Sequence, residues 1–172
     1  MSVHVREMQL EEVGLVIDYF HESTAEHLEM LGVDPTRLPA PAQWRQLYES
    51  DFAQPIERRR TLLLLWEINA TPVGFSSVDK IVYGKEAYMH LHIVAPTQRR
   101  SGYGAACVRH SVDIYFDRLR LERLYCEPHA FNVGPNRTLQ KAGFSYVKTH
   151  HTVPGPLNFH QAVTRWVYEK PR

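Results

Sequence analysis

The sequence predicts a mixed α/β domain in which helices cover the faces of one open sheet. Three observations carry this reading. Short apolar runs bounded by turn residues recur along the chain, and segments with apolar residues at helical spacing interrupt them. A glycine-bearing hexapeptide, Arg99-Arg100-Ser101-Gly102-Tyr103-Gly104, falls at a strand-to-helix junction.

The elements follow in order. Val3 to Glu7 is a short strand. Leu10, Val13, Ile17 and Phe20 recur at helical spacing, and Ala25 to Leu31 extends a second helical piece that Gly32 ends. Asp34 to Pro41 is a proline-rich loop, after which Trp44, Leu47 and Tyr48 mark another short helix. Thr61 to Ile68 is a buried-type strand, Asn69-Ala70-Thr71-Pro72 turns, and Val73 to Val78 returns. Ala87 to Val94 is the next strand, ended at Ala95-Pro96 because proline cannot donate to a ladder. A helix then carries Val108, Val112, Tyr115, Phe116 and Leu119 on one face. Leu121 to Cys126 is a strand, Pro135 to Ala142 a short helix stopped by Gly143, and Tyr146 to Val153 and Ala162 to Tyr168 are the closing strands. The order is β-αα-βββ-α-β-α-ββ, within a single domain over residues 1–172.

Composition excludes several functions. The chain has 20 Lys plus Arg against 19 Asp plus Glu, a net charge of +1, so it lacks the basic surplus that holds nucleic acid. Its longest apolar run, Leu62 to Trp66, is far shorter than the roughly 20 residues that span a bilayer, so no membrane is expected. Arg6, Glu7, Glu11, Glu12 and Asp18 break any signal-peptide core. Two cysteines are too few for a disulfide framework, and a reduced, cytoplasmic setting is expected. The charge is unevenly spread: Glu7, Glu11, Glu12, Asp18, Glu22, Glu26, Glu29 and Asp34 face only Arg6 among residues 1–35. That suggests a cationic acceptor, with a solvated acidic face as the alternative.

Glycines at a strand-to-helix junction let several backbone N–H groups point at one spot. The helix dipole adds partial positive charge, which suits a diphosphate. A P-loop is excluded because Gly-Lys-Ser/Thr is absent, and Cys107 stands where a dinucleotide fingerprint needs glycine or alanine. Taken alone, the hexapeptide is equally readable as a plain glycine turn.

Its context carries more. Arg99-x-x-Gly102-x-Gly104 resembles the Q/R-x-x-G-x-G/A pyrophosphate loop of the GNAT superfamily of N-acetyltransferases. Downstream, Asn132 ahead of Lys141-Ala142-Gly143-Phe144 resembles the family's second cofactor motif. The resemblance covers roughly residues 3–169. It implies a mostly antiparallel sheet splayed between the fourth and fifth strands, with acetyl-CoA as co-substrate. Amides of Arg99, Arg100, Ser101, Gly102, Tyr103, Gly104 and Ala105 would hold the pyrophosphate, and Asn132 the pantetheine arm, with Asn136 a further cofactor contact. The backbone N–H near Val94 would stabilise the oxyanion. Small relatives often pair as homodimers.

Acetyl transfer needs a neutral amine, and an alkylamine is mostly ammonium at pH 7, so a base is required. Tyr88, His90, His92 and Val94 alternate onto one face of the strand entering the glycine loop. His90 coincides with a histidine of arylalkylamine N-acetyltransferases and His92 with that of siderophore acyltransferases. Either is a candidate base or relay, and packing within the sheet is the alternative. Glu127-Pro128-His129-Ala130-Phe131-Asn132 resembles a segment of aminoglycoside 6'- and siderophore-type enzymes, where Glu127 binds a cationic acceptor or orients a histidine. The family's thiolate-protonating Tyr is replaced by Leu139 and its helix-starting Ser by Pro135, leaving the general acid unassigned, with Tyr88 and Tyr125 as stand-ins. His150-His151 lacks metal-ligand spacing, Arg58-Arg59-Arg60 reads as a solvated run, and neither Cys107 nor Cys126 has a nucleophile's neighbours.

The sequence therefore predicts an acyl-CoA-dependent N-acetyltransferase, metal-free, acting by direct attack of an amine. The acceptor would be a small amine or a peptide N-terminal amine. The alternative from another class is a GNAT-shaped module that binds acyl-CoA as a sensor or scaffold without efficient transfer.

Overall fold

The computed structural model describes residues 1–94 and 102–171. Seven strands form one sheet in the order β1-β2-β3-β4-β5-β7-β6. They are β1 (Val3–Glu7), β2 (Leu62–Ile68), β3 (Thr71–Val82), β4 (Glu86–Ile93), β5 (Arg123–Cys126), β6 (Ser145–Thr152) and β7 (Gln161–Glu169). Every neighbouring pair is antiparallel except β4 with β5.

The run Leu62–Trp66 is uninterruptedly apolar because both faces of β2 are covered. Leu62, Leu64 and Trp66 point into one core with Val108, Val112, Tyr115 and Leu139, which belong to α4 (Gly104–Leu119) and α5 (Val133–Ala142). Leu63 and Leu65 point into a second core with Val16, Phe20, Leu28 and Trp44. Those residues lie on α1 (Gly14–His21), α2 (Ala25–Leu31) and α3 (Pro41–Phe52). The segment between β1 and β2 thus holds three short helices. Thr24 separates the first two by capping α2, its hydroxyl accepting from the His27 N–H, and left-handed Gly32 closes that helix.

Two boundaries differ from expectation for backbone reasons. Asn69 and Ala70 alone make the β2–β3 turn, both at positive φ (49° and 65°) as a two-residue hairpin loop requires, so β3 resumes at Thr71. β3 also continues past Val78 to Val82 through a register shift at which Lys80 sits at φ 48°. The arginine run is not uniformly solvated. Arg59 lies over the Phe52 ring and pairs with Asp51 at 3.4 Å, and Asp51 also accepts from the Arg60 and Thr61 amides. This ties the end of α3 to the start of β2.

One break in the sheet positions the site. β4 and β5 pair only from Glu86↔Arg123 to Met89↔Cys126. Beyond Met89, β4 keeps β3 as partner through His90↔Ser77 and His92↔Phe75 but has no partner in β5. The sheet opens there, between the fourth and fifth strands.

Candidate active site

The opening leads into a cleft of about 780 Å³ on the α1–α3 side of the sheet. Met89, Cys126, Glu127, Asn132 and Pro135 line its end at the break, and His90, His92, Phe75, Ser77 and Asp79 line its floor. Alternation on β4 presents Tyr88, His90 and His92 to this face, with Tyr125 beside Tyr88 and Asp79 across from it.

The two histidines have different surroundings. His90 Nε2 lies 3.0 Å from Asp79 Oδ1, reached diagonally across the β3–β4 pair. In neutral His90, Nε2–H donates to the carboxylate and the lone pair resides on Nδ1. Burial alone would lower the pKa of His90, but the charge and hydrogen bond of Asp79 outweigh it and raise the value above 6.5. Asp79 is held below its ordinary value by the same partner, against its own desolvation. His92 instead packs among rings, with centroids 5.0 Å from Phe75 and 5.1 Å from both Tyr19 and Phe20.

A strap between β6 and β7 roofs the Asp79–His90 pair. Lys80 Nζ donates to the Pro154 carbonyl at 2.8 Å. A Cβ on Gly155 would stand 3.6 Å from His90 Cε1 and 3.7 Å from Asp79 Oδ2. The strap is fastened to the end of α2, where Asn158 Nδ2 and Gln161 Nε2 both donate to the Gly32 carbonyl.

Glu127 is nearly buried, with 5% of its side chain exposed. Its Oε2 accepts from Arg165 Nε at 3.1 Å and lies 3.2 Å from His150 Nε2. Burial lowers the pKa of His150 despite Glu127, which favours the neutral imidazole. Glu127 therefore lies beside His150 on β6, and Arg165 balances its charge. Arg165 also lies over the Tyr125 ring at 5.4 Å, and Tyr88 and Tyr125 stack at 5.1 Å, so the two tyrosines form a platform.

The cofactor side begins at α4. Gly102 has φ +83°, the left-handed region that favours glycine, and among the described residues nothing lies within 4 Å of where its Cβ would stand. The Tyr103 side chain is buried in the core, so only its amide can serve a ligand. Gly104 faces α5, where a Cβ would reach Thr138 at 3.4 Å, an ordinary contact distance. Gly102, Tyr103, Gly104 and Ala105 thus bring amides and small side chains to the start of α4. Arg99, Arg100 and Ser101 lie outside the described residues.

Two expectations change. The Val94 N–H donates to the Val73 carbonyl at 2.9 Å, because the β3–β4 ladder continues past Ile93. It is therefore committed to β3, and the alternation of the ladder turns the Leu91 and Ile93 amides toward the β5 side. Asn136 is engaged within the fold. Its Nδ2 donates to the Asn132 and His129 carbonyls, and its Oδ1 accepts from Trp166 Nε1 at 2.8 Å. None of the eight early acidic residues lines the main cleft. Glu7 pairs with Arg118, Glu12 with Arg6, and Asp34 with the Thr36 amide and hydroxyl. Glu26 and Glu29 border a separate shallow recess with His129, Phe131 and Phe159.

Other expected positions keep their place. Asn132 begins α5 and lines the cleft, and Leu139 is fully buried in the α4–α5 core, where it offers no hydroxyl. Burial pushes the Cys107 thiol up to about 11 and the Cys126 thiol higher still, so neither is poised as a nucleophile. Asp79, Arg165 and Gly155 were not singled out by motif, and His150 was considered only as a metal ligand. The hairpin register was the available signal for Asp79, since it sets that residue opposite Tyr88.

A mixed sheet broken between two parallel strands, with a glycine-led helix beside the break, defines an acyl-CoA-type transferase fold. The family model described as "Acetyltransferase (GNAT) family" matches residues 26–144, and the chain belongs to that family. No curated protein matches the sequence. Among solved structures, aminoglycoside acetyltransferase AAC(6')-Ib in complex with coenzyme A superposes with a TM-score of 0.73 at 18% identity, covering 98% of this chain and 95% of that one. Spermidine N-acetyltransferase from Vibrio cholerae, in complex with CoA and spermine, gives 0.77 at 14% identity over 97% and 95%. The ribosomal alpha-N-protein acetyltransferase RimL with coenzyme A gives 0.77 at 12% over 98% and 94%.

Proposed function

We propose that the protein transfers an acetyl group from acetyl-CoA to a primary amine by direct attack, with His90 as the base. The Asp79–His90 pair at the open end of β4 carries this reading. The amine nitrogen forms a bond to the thioester carbonyl carbon, and the C–S bond breaks as the oxyanion collapses. The ammonium proton passes to His90 Nδ1, directly or through one water. The Leu91 amide lies on the side of β4 where the oxyanion develops. With Leu139 in place of a tyrosine, the thiolate leaves as the anion and takes its proton from water.

On the donor side, the amides from Gly102 to Ala105 hold the pyrophosphate, and Arg99, Arg100 and Ser101 extend that loop. Asn132 meets the pantetheine arm at the break between β4 and β5. His92 shapes the cleft through its aromatic neighbours, and Asp79 orients His90. The neighbours that bind CoA and carry names of amine acetyltransferases support this assignment.

The test is thiol release from acetyl-CoA across a panel of primary amines. Release that depends on amine, and that falls about 10²- to 10⁴-fold in kcat for His90→Ala with acetyl-CoA affinity retained, is the expected result. Cofactor binding without release on any amine would leave a CoA-binding scaffold.

A further inference from the structure

The cleft runs from His90 across the floor of the sheet to the junction of α3 and β2, and its charge changes along that path. Asp51, Asp79 and Glu127 are its lining carboxylates. Asp51 is ion-paired with Arg59 and Glu127 with Arg165, while Asp79 is hydrogen-bonded to His90 and keeps its charge when that imidazole is neutral. At the α3–β2 end the lining includes Arg37, Arg58 and Arg60. Arg37 leans on Asp34 at 3.7 Å, whereas Arg58 and Arg60 enter no ion pair among the described residues. The stretch between is apolar, formed by Phe20, Val33, Trp44, Leu63 and Phe75.

Register gives the span. His90, Ser77 and Leu63 lie side by side across β4, β3 and β2. That is two inter-strand steps, roughly 10 Å, and Arg60 lies three residues before Leu63, just ahead of β2, roughly 10 Å away in the perpendicular direction. A ligand with its amine at His90 and an anion at the arginines is therefore about as long as a short extended peptide.

We propose that the acceptor is an anionic amine: a primary amine, an apolar body, and a carboxylate held by Arg58 and Arg60. This rests on the cleft being the acceptor site of the transferase. Charge complementarity selects the occupant: of the three lining carboxylates only Asp79, beside the amine end, lacks a cationic partner while His90 is neutral, and the far end of the cleft offers Arg58 and Arg60 instead of a second unpaired carboxylate.

The probes are alanyl-leucyl-phenylalanine, its C-terminal amide, and spermidine, titrated calorimetrically into the CoA-saturated protein. The free acid should bind about tenfold more tightly than the amide, and added salt should weaken the free acid selectively. The preference should fall to within about twofold in Arg58→Ala/Arg60→Ala and persist in Arg58→Lys/Arg60→Lys. Equal binding of acid and amide, tighter binding of spermidine, survival of the preference in the alanine variant, or no binding of any peptide would overturn the proposal. Binding with this preference but no thiol release from acetyl-CoA would instead overturn the transferase reading alone.

Discussion

His90 and His92 occupy equivalent alternating positions on β4, yet β3 gives them different neighbours. His92 meets Phe75 and the rings of α1, while His90 meets Asp79. A base must be neutral to accept a proton, so kcat/KM should fall as pH drops through a His90 pKa above 6.5. Asp79→Asn removes the charge that opposes desolvation, so this limb should move to lower pH while acetyl-CoA affinity holds; pH–rate profiles check it. The stability linkage has the opposite sense. With its folded pKa raised, His90 contributes fully below 6.5, and the contribution fades as pH rises through the folded value. His92→Ala should act on packing, costing about 1–3 kcal/mol in denaturant melts with little change in the pH limb. The alternation of both histidines onto one face was readable in the sequence. Their division of roles was not, because Asp79 reaches His90 only through the cross-strand register.

At the scale of elements, the strap from β6 to β7 depends on one backbone position. Gly32 caps α2 at φ +73°, and a Cβ there would fall 2.0 Å from Gln161 Oε1, a buried side chain that fastens the strap. Gly32→Ala should therefore lower stability by about 2–4 kcal/mol and loosen the roof over His90, raising acceptor KM; thermal melts and steady-state kinetics check this. Gly102→Ala should behave differently. No described residue crowds Gly102, so its stability cost should be that of the left-handed φ, about 1–2 kcal/mol, while acetyl-CoA affinity should drop more sharply. The helices and strands were legible because apolar spacing and punctuation residues mark them locally. The strap was not, since Asn158 and Gln161 bond to Gly32 across most of the chain. The Trp166 hydrogen bond to Asn136 Oδ1 was likewise not legible, because β7 brings Trp166 there from thirty residues on.

For the whole molecule, the net charge of +1 conceals a segregated distribution. The early acidic residues lie outside the main cleft, paired to arginines or set on outer faces, and the basic surplus borders the cleft at Arg58 and Arg60. Composition could reveal the asymmetry but not which surface it faced, because ion pairing is set by the tertiary fold. The binding assignment predicts that acetyl-CoA at 100 times its Kd raises stability by about 2.7 kcal/mol, readable as a shift in Tm.

The central claim is that the break between β4 and β5 delivers the thioester to the Asp79–His90 pair. A crystal structure with bound CoA tests it most directly. The account predicts the pantetheine threaded past Asn132 and the sulfur at the break, within about 6 Å of His90, one water's reach. A sulfur lying on the α4–α5 side of the sheet, or at the recess beside Glu26 and Glu29, would contradict it.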